Sequence, residues 1–115
     1  MIPALSADDL RATVDAIARV QAPGGCIPWV LDGKADPWNL VEAAMALDVG
    51  GRHDDAARAY AWLVEHQLPH GGWHAYYVDD VVSDPTFDTN ISAYVAVGTW
   101  HHFLSTGDHA FLARM

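Results

Sequence analysis

Charge is what this chain has least of. Asp, Glu, Lys and Arg make up 18% of its 115 residues, against 51% hydrophobic residues. Disordered chains need the opposite composition, so the sequence folds. Average soluble domains carry more charge, so the surplus apolar surface needs cover, from a core, a neighbouring chain or more of the same chain. Positive charge is scarcest: six Lys and Arg stand against fifteen Asp and Glu, for a net charge of −9. Phosphate backbones and anionic membrane surfaces both require a basic footprint, so neither nucleic acid nor a lipid surface is an expected partner. Neutral and cationic ligands remain. A single cysteine, Cys26, excludes an intrachain disulfide and fits a reducing compartment, so a cytoplasmic location is expected. No apolar run reaches a membrane span, and the longest, Ile91–Leu104, contains His101 and His102. Met1–Ser6 is short, lacks a basic side chain and is followed by Asp8 and Asp9, so no signal peptide is expected.

Helices fill most of the chain. Ser6 and Asp9 form a capping pattern for a helix from Ala7 to Gln21, with Leu10, Val14 and Ile17 on one face. Pro23 and Gly24-Gly25 end it, and a loop runs through Trp29 to Ala35. Asp36 as N-cap and Pro37 at the first helical position open a second helix, reaching Val49. That helix is apolar on nearly every side, which reads as buried. A third, amphipathic helix covers Asp54–Gln67, with Asp54 and Arg58 spaced to pair. A long loop follows from Pro69 to about Phe87, rich in aromatics and acids; loops of that length usually have a function. The fourth helix, about Thr89–Ser105, is again mostly apolar, and Asp108 caps the start of a fifth.

The loops after the first and third helices match. Gln21-Ala-Pro-Gly-Gly-Cys-Ile-Pro-Trp29 parallels Gln67-Leu-Pro-His-Gly-Gly-Trp73, with the glutamines 46 residues apart and the tryptophans 44. That period suits a repeated helix pair. Alternating amphipathic and apolar helices give an all-α fold: a partial α/α toroid of two helix pairs, about 7–50 and 54–106, plus the start of a fifth helix at 108–115, in a single domain. The Gln, Gly and Trp of the motif have a structural reading first: the amide bonds helix-end carbonyls and the indole places its N–H on a neighbouring carbonyl.

The stretch Arg58-Ala-Tyr-Ala-Trp-Leu-Val-Glu-His-Gln-Leu-Pro-His-Gly-Gly-Trp73 resembles the glutamine-tryptophan repeat of the terpene cyclase and prenyltransferase toroids. With Ile27-Pro-Trp29, Asp36-Pro-Trp-Asn39 and Trp100-His-His-Phe103, nearly the whole chain is similar to bacterial prenyltransferase-like proteins, which are longer. The resemblance implies an apolar, isoprenoid-type substrate in an aromatic-lined cavity. The Asp-x-Asp-Asp acid motif of the cyclases is absent, and Cys26 has no partner at zinc-ligand spacing. Glycoside hydrolases built on an α/α toroid are a second relative, and they need two carboxylates at the barrel mouth.

Candidate catalytic groups are Glu42, an acid in an apolar helix, and Asp84 and Asp88, flanking Phe87 before the fourth helix. Each also has an ordinary reading, as a hydrogen-bonded structural acid or a helix cap. Candidate substrate-binding groups are Trp29, Asp36, Trp38, Asn39, Trp73, Tyr76, Tyr77 and Asn90, of which the aromatics equally fill a core. Neither a metal nor a cofactor is expected: His101 and His102 are adjacent and point about 100° apart on a helix, His70 and His74 lie on a loop, and no His-Glu-x-x-His motif occurs. Three functions stay open: an isoprenoid-handling enzyme, a glycoside hydrolase-like toroid taking a sugar, and a non-catalytic or truncated unit completed by copies of itself or by the remainder of a toroid.

Overall fold

The computed structural model describes residues 3–115. Met1 and Ile2, where the segment read as lacking a signal peptide begins, lie outside them. Helix α1 spans Ala7–Val20, α2 Pro37–Val49, α3 His53–His66, α4 Thr89–Thr106 and α5 His109–Arg114. The expected capping box forms, with Ser6 N donating to Asp9 and Asp9 N to Ser6 Oγ at 3.1 Å. Asp36, Asp88 and Asp108 each accept the backbone N–H three residues on, which starts α2, α4 and α5. Helix α3 begins one residue before its expected start, behind Arg52, with no side-chain cap. Its expected Asp54–Arg58 pair is replaced by Arg58 with Asp55 at 3.0 Å, one residue closer, because Asp55 also takes Arg52.

The long loop expected after α3 is instead a hairpin. Strand β2 (His74–Val78) pairs antiparallel with β3 (Val81–Phe87), and β1 (Lys34–Ala35) pairs with the other edge of β2, giving the order β1-β2-β3. Asp79 and Asp80 both have positive φ, 48° and 62°, which is the two-residue turn that matches strand twist. Pro85 is accommodated because β3 is an edge strand. Nearly all of β3 is exposed, so it shows no apolar alternation, and the turn carries Asp-Asp rather than Asn-Gly. The strand signals were therefore missing from the sequence.

The sheet brings the two inner helices in from one side. β1 runs into α2 and β3 into α4, both strands flanking β2. Contacts then follow in the same order along both helices: Trp38 with Tyr94, Val41 beside Gly98, Asp48 with His102. Helices α2 and α4 are therefore parallel. They come close at Gly98, where any Cβ would collide with Val41 and the Tyr60 hydroxyl. The core comprises Leu40, Val41, Ala44 and Leu47 of α2, Ala59, Tyr60, Trp62 and Leu63 of α3, Val95 of α4 and Phe111 of α5. Each large side chain buried there contributes roughly 1.5–3 kcal/mol of transfer free energy.

The architecture is the expected partial α/α toroid, two helix pairs followed by a short fifth helix, with the small sheet at one end. One expectation is corrected. The inner helices are not buried all round: Trp38 and Val49 of α2 are exposed, and α4 leaves Val97, Trp100 and Leu104 open along one face. A closed ring of helices covers such a face, and within the described residues nothing packs on it. No helix of the described residues is long and apolar enough to cross a membrane.

Candidate functional site

The N-terminal ends of α2 and α4, together with the sheet, carry a surface of aromatics and acids, the mouth, in two groups around Trp29–Tyr76 and Trp38–Tyr94. Asp36, the cap of α2, stands at its rim. This side chain is buried, and its carboxylate accepts from Asn39 N (2.9 Å), Asn39 Nδ2 (2.8 Å) and Trp29 Nε1 (2.6 Å). The cap that starts α2 thus also fixes the Trp29 ring, which is 49% exposed. Trp29 meets Tyr76 edge to face at 6.0 Å, and Lys34 Nζ lies over both rings. Across the strand pair from Tyr76 stands Asp84.

In the first turn of α2, Trp38 stacks on Tyr94 of α4 at 4.2 Å with the rings nearly parallel. Glu42 follows four residues on. Its Oε1 accepts from Tyr94 Oη (3.0 Å) and Trp38 Nε1 (3.3 Å). The sequence placed Glu42 in a buried helix; it is in fact exposed, on the open side of α2. That bond to Glu42 is the first cause holding the Tyr94 phenol above its ordinary value, so Tyr94 stays a donor. Asp84 is held below the usual carboxylate value, first by the Thr86 hydroxyl and backbone N–H, against desolvation, with the charge of Lys34 the smallest contribution. Asp88 accepts from Ile91 N at 3.0 Å as the cap of α4, and Asn90 is exposed in the first turn beyond it.

Two aromatics named from the sequence do not belong to this mouth. Trp73 is buried in the core, its indole N–H donating to Leu63 O at 2.8 Å. Tyr77 is also buried: its hydroxyl accepts from His74 N, and its ring meets Trp62 edge to face at 4.9 Å. Strand alternation is the reason, since Tyr76 and Tyr77 point to opposite faces of β2. On the Tyr77 side, a cleft of about 460 Å³ lies between the first glycine loop and the β2–β3 turn, with Cys26, Asp32 and Asp80 in its wall. Burial, and secondarily the charge of Asp80, pushes the Cys26 thiol up to about 12, so it is protonated and unreactive at neutral pH.

The opposite end of the inner helices carries a polar cluster around a buried acid that the sequence reading missed. The Asp48 carboxylate, fully buried, accepts from His102 Nδ1 at 2.8 Å and from His53 Nδ1 at 2.8 Å. His101 Nδ1 lies 3.8 Å away and has no hydrogen-bond partner. Of the two adjacent histidines, His102 is buried on the carboxylate and His101 is partly exposed beside it. Lys34 and Tyr94 were missed at the mouth as well. A signal for Asp48 existed, an acid in an apolar helix like Glu42, but nothing in the sequence paired it with His102, 54 residues on.

No family model matches the chain. The chain is 44% identical, over 111 residues, to an MMP endo-(1,4)-3-O-methyl-alpha-D-mannosidase of Mycolicibacterium hassiacum. The match covers 96% of this chain and 31% of that protein, so the chain spans about a third of the length of the curated relative it matches. This corrects the resemblance to prenyltransferases and terpene cyclases, and with it the transferase reading. The toroid expectation holds, while the likeness extends to a glycosidase. The glutamine-tryptophan repeat was a mark of helix-pair packing and carried no information on chemistry.

Proposed function

We propose that this chain forms the sugar-facing part of a glycoside hydrolase-like α/α toroid, acting on α-(1→4)-linked mannose units that carry 3-O-methyl groups. The mouth is the observation that carries the reading. The exposed face of Trp29 and the Trp38–Tyr94 stack offer flat apolar surface beside the carboxylates of Glu42 and Asp84. A pyranose has an apolar face and a hydroxylated edge, and methyl ethers enlarge the apolar part, so rings and acids are needed side by side.

Hydrolysis of a glycosidic bond uses one carboxyl group as acid and another as base or nucleophile. Asp84, held ionised, suits the second role. Glu42 is exposed, its Oε1 bonded to Tyr94 and Trp38, and suits contact with the sugar. Asp88 and Asp36 shape the rim as helix caps, and Asn39 and Asn90 add donors beside them. The test is product analysis after incubation with 3-O-methylated α-(1→4)-mannose oligosaccharides, for the chain and for Glu42→Gln and Asp84→Asn. Shorter oligosaccharides from the unaltered chain, lost by about 100-fold or more in the variants, support the reading. Failure of the chain to bind these sugars in calorimetry removes it.

The open face of α4 favours a second, compatible element: a covering partner, whether a copy of this chain or further toroid, over Val97, Trp100 and Leu104. Light scattering across a dilution series tests the self-associated form, and a monomer at all concentrations counts against it.

A further inference from the structure

Lys34 is the only lysine in the chain, and it stands at the mouth. Its Nζ lies 4.2 Å from the ring centroid of Trp29 and 4.1 Å from that of Tyr76. Among the described residues no carboxylate comes within ion-pair distance of it, although the chain holds fifteen acids. Asp84, the acid that senses its charge, is bonded to Thr86 N at 2.9 Å. Ring faces attract an ammonium through their quadrupoles but are not ordinary hydrogen-bond acceptors. The clamp therefore fixes the position of the charge while leaving its N–H donors unspent.

We infer that Lys34 is a specificity-determining residue of the mouth, donating to the hydroxyl or ether oxygens of a neutral sugar seated against Trp29 and Tyr76. A sugar hydroxyl both donates and accepts, and this part of the mouth supplies the two complements: an acceptor at Asp84 and a charged donor at Lys34. An acidic sugar would gain at Lys34 but meet that carboxylate and a net charge of −9. The position is set by a local loop and by strand pairing together. Lys34 sits on β1, Trp29 on the loop before it and Tyr76 on β2, and Trp29 is held in place by Asp36.

The inference rests on the glycan reading, and one experiment separates the two. Calorimetry with a 3-O-methylated α-(1→4)-mannose tetrasaccharide compares the unaltered chain with Lys34→Met, which keeps an aliphatic stem between the rings and removes the charge. The expected result is an affinity lower by about tenfold or more in Lys34→Met, as for loss of a charged hydrogen bond. Weaker binding of a uronic-acid oligosaccharide by the unaltered chain is expected alongside it. Equal affinity of Lys34→Met and the unaltered chain overturns the Lys34 assignment and leaves the glycan reading standing. Tighter binding of the acidic sugar overturns the neutral-ligand assignment. No binding by either protein overturns both. If Lys34→Met does not fold, the lysine side-chain NMR signal of the unaltered chain decides, because there is only one. Movement on adding sugar supports the inference, and a fixed signal while the Trp38 indole signal moves overturns it.

Discussion

The two repeats carry the same motif and use it differently. In the first, Gln21 Nε2 donates to Gly25 O and to Asp55 O, both at 2.9 Å, and its oxygen accepts from Arg58, so one amide ties a loop to the next outer helix. In the second, Gln67 Nε2 bonds only Gly71 O, at 3.0 Å. The tryptophans diverge further. Trp73 is buried against α3, while Trp29 stands half exposed at the mouth with its N–H on Asp36. The first repeat leaves its tryptophan half exposed at the surface and the second puts it in the core. A sequence motif therefore fixes a local loop shape, and the neighbours that the loop meets decide what its side chains do.

The largest effect that would test this contrast is at the tryptophans. Trp73→Ala is expected to cost about 3–5 kcal/mol in urea unfolding, as a large core side chain lost with its hydrogen bond. Trp29→Ala is expected to cost about 1–2 kcal/mol, from one hydrogen bond and a partly exposed ring, while abolishing sugar binding. Equal destabilisation by the two would break the comparison. The glycines come next. Gly25 has φ 102° and a Cβ there would strike the Arg58 carbonyl, whereas Gly71 has φ 90° and open space around it. Thermal unfolding of Gly25→Ala should show a loss on the order of 3 kcal/mol, strain and collision together, against about 1 kcal/mol for Gly71→Ala from strain alone.

The glutamines give a smaller difference: about 1–3 kcal/mol for Gln21→Ala and about 0.5–1.5 kcal/mol for Gln67→Ala, read from chemical denaturation. The smallest effect is on the alkaline side. The unfolded Cys26 thiol ionises near its ordinary 9.0 and the folded one at about 12. Between those values the unfolded state gains by losing a proton, so stability present below pH 9 declines as pH rises. Tyr60, also pushed up by burial first and by Asp48 second, adds in the same direction above its ordinary 10.0. Cys26→Ala should flatten the decline beginning near pH 9 and leave the part due to Tyr60; an unchanged profile would show that the buried thiol carries no linkage.

Much of this molecule was legible in its residues. The caps at Ser6, Asp36, Asp88 and Asp108 are local, each side chain reaching a backbone N–H three residues away. The alternation of outer and inner helices was legible too, because amphipathic and apolar stretches differ within single segments. The β2–β3 hairpin was not, since β3 is exposed and its turn uses two aspartates. Nor was the resemblance a guide to chemistry: residues that shape a helix-pair turn are shared by toroids with different substrates.

The sequence by itself determined the helices, their caps and their pairing, because those depend on residues within a few positions of one another. It also marked Glu42, Asp84, Trp29 and Trp38 as worth attention. Tertiary structure alone decided which aromatics are open and which are core, and it joined residues far apart in the chain. Glu42 meets Tyr94, Asp48 meets His102, and Lys34 meets Tyr76 because two strands flank β2 and deliver two parallel helices side by side. The spacing of such pairs is set by packing, and no local pattern encodes it.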